Sequence, residues 1–177
     1  TARQLTEYPT TGWLTNGGDL FNRRYSPLAQ IHRDNVAQLK AVWRRSLSGS
    51  GVAPKYSGEA QPIVHDGVVY IVTGADDVFA MSVDSGDILW KHEAKLDDTI
   101  AVVCCGWTSR GVAHGNGRIF LGRLDGHLVA LDAKTGAVAW TVVGDGVVVH
   151  QPSTAATFAL EGTAAVLWRC LDDVSPL

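Results

Sequence analysis

Two adjacent cysteines, Cys104-Cys105, have the most unusual chemistry open to any residues in this chain. Across a trans peptide their Cα atoms lie about 3.8 Å apart, below the usual disulfide range, so a bond between them closes a small strained ring. Such a ring needs an oxidising compartment. The alternative is a reduced, buried pair ending the apolar run Ala101-Val102-Val103. Cysteine usage alone favours the reduced pair and leaves Cys170 free. Taken singly, Arg110 reads as an exposed turn residue and Glu59 as a surface carboxylate. Asp76-Asp77 and Asp97-Asp98 suggest calcium ligands, but acidic pairs in turns are ordinarily solvated, and they are read that way here. The six histidines lack metal-ligand spacing and read as structural or exposed.

These residues must be positioned by elements, and an internal repeat supplies them. Gly67–Trp90 lies over Gly117–Trp140 without a gap, at a spacing of 50 residues. Asp66-Gly67 and Asn116-Gly117 are dipeptides favoured in two-residue hairpin turns. Val69-Tyr70-Ile71 matches Ile119-Phe120-Leu121, and Phe79-Ala80-Met81 matches Val129-Ala130-Leu131, each as a buried strand. Asp84-Ser85-Gly86 matches Lys134-Thr135-Gly136 as a turn, and Ile88-Leu89-Trp90 matches Val138-Ala139-Trp140 as a strand ending in a large aromatic. Three or four antiparallel strands per unit make one propeller blade, which cannot bury its faces alone. The expected fold is therefore all-β, a partial β-propeller of two to three four-stranded blades. Trp90 and Trp140 read as wedges between neighbouring sheets, and Trp43 as the end of an earlier strand.

Three segments follow: residues 1–60 as an N-terminal segment with a first outer strand, 61–143 as two blade repeats, and 144–177 as a divergent or shortened tail. Within the first, Arg33–Lys40 suggests a short helix capped by Asp34 or Asn35. In the tail, Gly146-Val147-Val148-Val149 opens like a third unit, yet Trp168 follows Trp140 by only 28 positions. The composition of the 177 residues, 46% apolar and 19% charged, excludes disorder. A net charge of −3 without a basic stripe excludes a dominant nucleic-acid footprint, and no apolar run is long enough to span a bilayer. The opening Thr-Ala-Arg-Gln-Leu-Thr has no signal pattern, so an exported protein is expected to have lost its leader already.

In that context Val103-Cys104-Cys105-Gly106-Trp107-Thr108-Ser109-Arg110-Gly111 resembles the vicinal-cysteine motif of the pyrroloquinoline-quinone (PQQ)-dependent alcohol dehydrogenases, the methanol/ethanol dehydrogenase family. Trp13–Asp19 and Asn22–Leu28 resemble that family's opening, and Asn35–Trp43 its first outer strand. Gly58-Glu59-Ala60-Gln61-Pro62 is similar to its cofactor-contacting segment, and Leu124–Gly136 to its blade repeat. The resemblance runs in order over residues 12–143 and stops near Gly144. It implies an eight-bladed propeller with PQQ and calcium in its axial cavity, a periplasmic location, and oxidation of primary alcohols to aldehydes with cytochrome c as electron acceptor. It also implies a disulfide between Cys104 and Cys105 lying flat against the quinone, with Glu59 and Arg110 at the cofactor's polar rim. A guanidinium suits an anionic tricarboxylate, because it offers a rigid, charge-assisted fork.

The departures set limits on that expectation. The family's Thr or Ser contact and its Gly-Ala-Glu calcium segment do not occur in Asp145–Leu177. Its catalytic base, remaining calcium ligand and second quinone wall belong to later blades. This chain is thus expected to supply one wall of the site, with no catalytic residue and no metal ligand, and to be inactive alone. Two alternatives stand beside this reading. One is a non-catalytic β-repeat scaffold or binding module. The other is a fragment completed by another chain, with self-association through open blade edges.

Overall fold

The computed structural model describes residues 2–50, 53, 59–100, 103, 106–143, 146–151 and 156–160. Cys104, Cys105, Trp168 and Cys170 lie outside the described residues. The repeat is a repeat of structure. In the first unit β1 (Ile63–His65), β2 (Val68–Val72), β3 (Val78–Ser82) and β4 (Ile88–His92) form an antiparallel sheet in chain order. In the second, β5 (Ala113–Gly115), β6 (Arg118–Gly122), β7 (His127–Asp132) and β8 (Val138–Val143) repeat that order. Each unit gains one strand, β1 or β5, ahead of the turn dipeptide where the sequence match began. Both dipeptides have positive φ at both positions: 48° and 74° at Asp66-Gly67, 47° and 70° at Asn116-Gly117. This backbone fits the right-handed twist of the strands it joins.

The third and fourth strands of each unit share a bulge. Ala80 pairs with Trp90 and Met81 with Ile88; Ala130 pairs with Trp140 and Leu131 with Val138. The extra residue shifts the register so that Trp90 lies on the same face as Tyr70, Val72, Val78 and Ala80. This face packs against Ile119, Leu121, Val129 and Leu131 of the second sheet to form the core. Burying side chains of this size contributes roughly 1.5–3 kcal/mol each.

Trp90 fastens one unit to the next, as the wedge reading expected, and Trp43, which ends no strand, makes the same kind of contact with the first unit. The Trp43 indole donates to the Val83 carbonyl (2.7 Å), and Trp90 donates to the Ala133 carbonyl (3.0 Å), one repeat length further on. Each ring lies flat on a turn glycine. A Cβ on Gly86 would come 2.5 Å from the Trp43 ring, and one on Gly136 would come 2.5 Å from the Trp90 ring. Only a residue without a side chain admits the indole there.

Three sequence expectations need correction. Arg33–Lys40 is not a helix; a single 3-10 turn spans Val36–Gln38, and the Asn35 side chain instead bonds the His32 amide and the Gln30 carbonyl. Val36 and Leu39 stay exposed, so a helix here would bury no apolar face. Residues 39–47 pair in no strand, so the expected first outer strand is absent among the described residues. Arg45 nevertheless reaches the first sheet, donating to the Gly86 carbonyl and Asp87. The tail does not open a third sheet: β9 (Gly146–Gln151) pairs with β8, and β10 (Ala156–Leu160) with β9, giving a sheet of six strands. A β-branched run only two residues past β8 pairs with that strand's free edge at little loop-closure cost.

Candidate functional site

The alternation of strand direction decides which loops share an end. The turns 73–77 and 123–126, the crossing segment 93–112 and the approach 59–62 lie at one end of the two sheets. The turns 66–67, 83–86, 116–117 and 133–136 lie at the other. Both described residues expected at a cofactor fall at the first end.

Glu59 and Arg110 are 51 positions apart in sequence and adjacent in space: Arg110 Nη2 lies 3.1 Å from Glu59 Oε2. The backbone brings them together. The Gln61 amide donates to the Arg110 carbonyl (3.1 Å), and Gln61 forms a parallel bridge with Gly111. The side chains are 84% and 49% exposed, so this pair contributes little to stability and keeps its charges accessible.

Trp107 is the buried anchor of the crossing segment. It is 2% exposed, and its Nε1 donates to the Ile100 carbonyl (2.9 Å). That bond ties residue 100 to residue 107, and Cys104-Cys105 fall between them in sequence, outside the described residues. Arg110 follows three positions after the anchor. The segment is therefore held at Ile100–Trp107 and again at Arg110–Gly111.

Beneath this end lies a polar network that sequence reasoning missed. Asp76 and Asp77 are buried, at 1% and 9% exposure, which overturns their reading as solvated turn residues. Asp76 Oδ2 accepts the Leu124 amide from the neighbouring sheet (2.6 Å), and burial pushes its carboxyl up to about 6. Asp77 Oδ1 accepts the Ala94 amide (3.1 Å), and its Oδ2 lies 3.3 Å from Lys91 Nζ. Arg123 Nη2 donates to the Ala94 carbonyl (2.8 Å) and to Asp125 Oδ2 (2.6 Å). Burial, then the nearby Arg123 cation, lowers the His92 imidazole. One signal was present in the sequence: Arg123 occupies the repeat position of Thr73, and Gly126 that of Asp76, so the two units differ in charge at these turns.

At the opposite end the His65 and His114 rings meet across the sheets, tilted 47° with centroids 4.1 Å apart. Burial, and secondarily His65, lowers His114 to about 4. Among the described residues, no group of three or more His, Cys, Asp or Glu side chains is arranged to hold a metal, and no helix is long and apolar enough to cross a membrane.

Known proteins are similar to this chain in sequence and fold. The family model "PQQ: Glucose/ethanol/alcohol dehydrogenase, beta-propeller domain" matches residues 13–161, continuing past Gly144, where the sequence motifs ended. The dehydrogenase subunit of alcohol dehydrogenase (quinone) from Gluconacetobacter polyoxogenes is 39% identical over 131 residues, which are 73% of this chain and 17% of that protein. The 1-butanol dehydrogenase (cytochrome c) of Thauera butanivorans is 44% identical over 130 residues, 72% of this chain and 18% of that protein. Among solved structures, the quinohemoprotein alcohol dehydrogenase of Comamonas testosteroni superimposes with a TM-score of 0.69 at 30% identity, covering 84% of this chain and 24% of that one. The chain thus spans less than a fifth of the length of these two curated relatives.

Proposed function

The chain belongs to the PQQ glucose/ethanol/alcohol dehydrogenase β-propeller family, and from that premise we propose that it forms one wall of the cofactor site of a quinoprotein alcohol dehydrogenase. The observation that carries this reading is the exposed Glu59–Arg110 pair, assembled from two units beside the segment that Trp107 ties to Ile100. Its donor chemistry fits an anionic tricarboxylate: the Arg110 guanidinium is 84% exposed, and its fork can exchange one carboxylate for another. Glu59 sets the rotamer of that guanidinium and accepts from any donor at the cofactor's rim. Cys104 and Cys105, joined in a disulfide, would form a rigid apolar surface for the quinone plane, which costs little ordering entropy on binding.

PQQ, when bound, supplies the two-electron acceptor for oxidation of a primary alcohol to an aldehyde. The catalytic base and the calcium ligands are assigned to parts of the full-length protein outside this chain, so the isolated chain does not turn over alcohol. Cytochrome c as acceptor and a periplasmic location, where a vicinal disulfide persists, belong to the same proposal. The test is titration of the chain with PQQ, read by quenching of tryptophan fluorescence. Arg110→Met should weaken binding severalfold, and prior reduction and alkylation of the cysteines should weaken it too. A chain that shows no quenching at any PQQ concentration would instead be a β-repeat scaffold without a cofactor. Alkylation of both cysteines without prior reduction, in protein from an oxidising compartment, would also count against the wall.

A further inference from the structure

The crossing segment 93–112 leaves the first sheet one residue after β4, and Ala94 is where it turns away. Ala94 is 6% exposed, and its peptide groups are held from both sides by side chains rather than by a strand ladder. Asp77, from the turn between β2 and β3, accepts its amide hydrogen at 3.1 Å. Arg123, from the equivalent turn of the second sheet, donates to its carbonyl oxygen at 2.8 Å. Neither clamp residue is free to drift. Lys91 lies 3.3 Å from Asp77 and is itself bonded to Glu93 and Ser48. Asp125 holds Arg123 through the same Nη2.

We propose that Asp77 and Arg123 are positioning residues for the cofactor wall, clamping the Ala94 peptide so that the crossing segment departs at a set angle. The inference rests on the reading of that segment as the wall. The clamp is the first of three ties along it: Ala94 between the sheets, Ile100 to Trp107, and Arg110–Gly111 to Gln61. Without the clamp, only the ties at Ile100–Trp107 and at Arg110–Gly111 would hold the segment, and its departure from the first sheet would be unfixed. The clamp draws one residue from each sheet, so it also ties the placement of the wall to the packing of neighbouring blades. Hydrogen bonds to charged partners in a buried setting are strong enough for this, and an unmade one leaves a peptide group unsatisfied.

Hydrogen exchange of the whole chain, read peptide by peptide, together with PQQ titration, tests the clamp. In Asp77→Ala and in Arg123→Met, exchange over residues 94–107 should speed up about tenfold, while the strands 68–72, 78–82, 118–122 and 127–132 stay as in the wild type. Asp77→Asn keeps an acceptor for the Ala94 amide and should restore the protection that Asp77→Ala loses. Arg123→Lys keeps the charge without the fork and should restore it in part. PQQ affinity should fall in the two disruptive variants and recover in Asp77→Asn. Unchanged exchange over 94–107, or an equal rise in every strand, overturns the proposal. So does locally faster exchange with unchanged PQQ affinity. A wild type that binds no PQQ overturns the parent reading of the wall, while the exchange pattern alone still decides whether the clamp fixes the crossing segment.

Discussion

A half-buried histidine and a buried aspartate give this chain opposite responses to acid, and one substitution separates them. His114 lies against His65 across the sheets, 4.1 Å between centroids and tilted 47°, with the Tyr70 ring at 6.2 Å and Asp66 near His65. Its imidazole sits at about 4 against an ordinary 6.5, so the folded state resists its protonation. Stability from this group is complete above pH 6.5 and drains away as the pH falls toward 4. At 1.36 kcal/mol per tenfold change in proton affinity, the full gap corresponds to roughly 3 kcal/mol, and solvent reaching the half-buried ring reduces this to about 2. Asp76 runs the other way. Raised from 3.8 to about 6, it contributes most below pH 3.8, and its contribution is lost as the pH rises through 6, also on the order of 3 kcal/mol. Between pH 4 and 6 the two slopes oppose each other, and His92, also lowered by burial, acts in the same direction as His114. His114→Phe keeps a ring against His65 and Tyr70 and removes the acid-sensitive group. Relative to the wild type, its unfolding midpoint in urea, followed by tryptophan fluorescence, should therefore gain an amount equivalent to about 2 kcal/mol as the pH drops from 6.5 to 4. Asp76→Asn should show the reverse, a steeper loss in acid. Parallel curves for wild type and His114→Phe across that range would refute the assignment of the acid response to this ring.

Other substitutions separate close packing from open turns. Gly136→Ala puts a methyl into the Trp90 ring at φ 72° and should cost about 3 kcal/mol in chemical denaturation, whereas Gly117→Ala, at φ 70° with nothing within 4 Å, should cost only about 1. Ile119→Ala, at a side chain with 0% exposure between the sheets, should lower stability by about 3 kcal/mol in the same assay. Arg110→Met removes an exposed ion pair and should leave the unfolding midpoint within about 0.5 kcal/mol of wild type.

The sequence was most legible where local chemistry and tertiary packing agree. The turn dipeptides and the paired aromatics were readable because a two-residue turn with two positive φ values admits few residues, and because an indole on a glycine needs both partners at fixed spacing. β1 and β5 were missed because they are three residues long and share little sequence: Ile63-Val64-His65 against Ala113-His114-Gly115. The helix expected over Arg33–Lys40 failed because spacing alone does not provide a surface for Val36 and Leu39 to bury. Glu59 and Arg110 could be paired only through resemblance, since their approach depends on a backbone bridge between units that no local pattern encodes.

The polar network was legible only as a difference between the units. Where the repeats agree, at Tyr70/Phe120, Ala80/Ala130 and Trp90/Trp140, the residues build the same blade twice. Where they disagree, at Thr73/Arg123 and Asp76/Gly126, a half-buried guanidinium and a buried carboxylate appear in the turns. Buried charge is costly unless it holds something in place, and here each has a partner across the sheet boundary: Asp76 holds the Leu124 amide and Arg123 the Ala94 carbonyl. In a repeat fold whose backbone is set by shared positions, the unshared buried charges are therefore where to look for what distinguishes one blade from the next. In this chain one of them, Arg123, joins Asp77 in holding Ala94, near the point where the segment carrying Cys104, Cys105 and Arg110 leaves the first sheet.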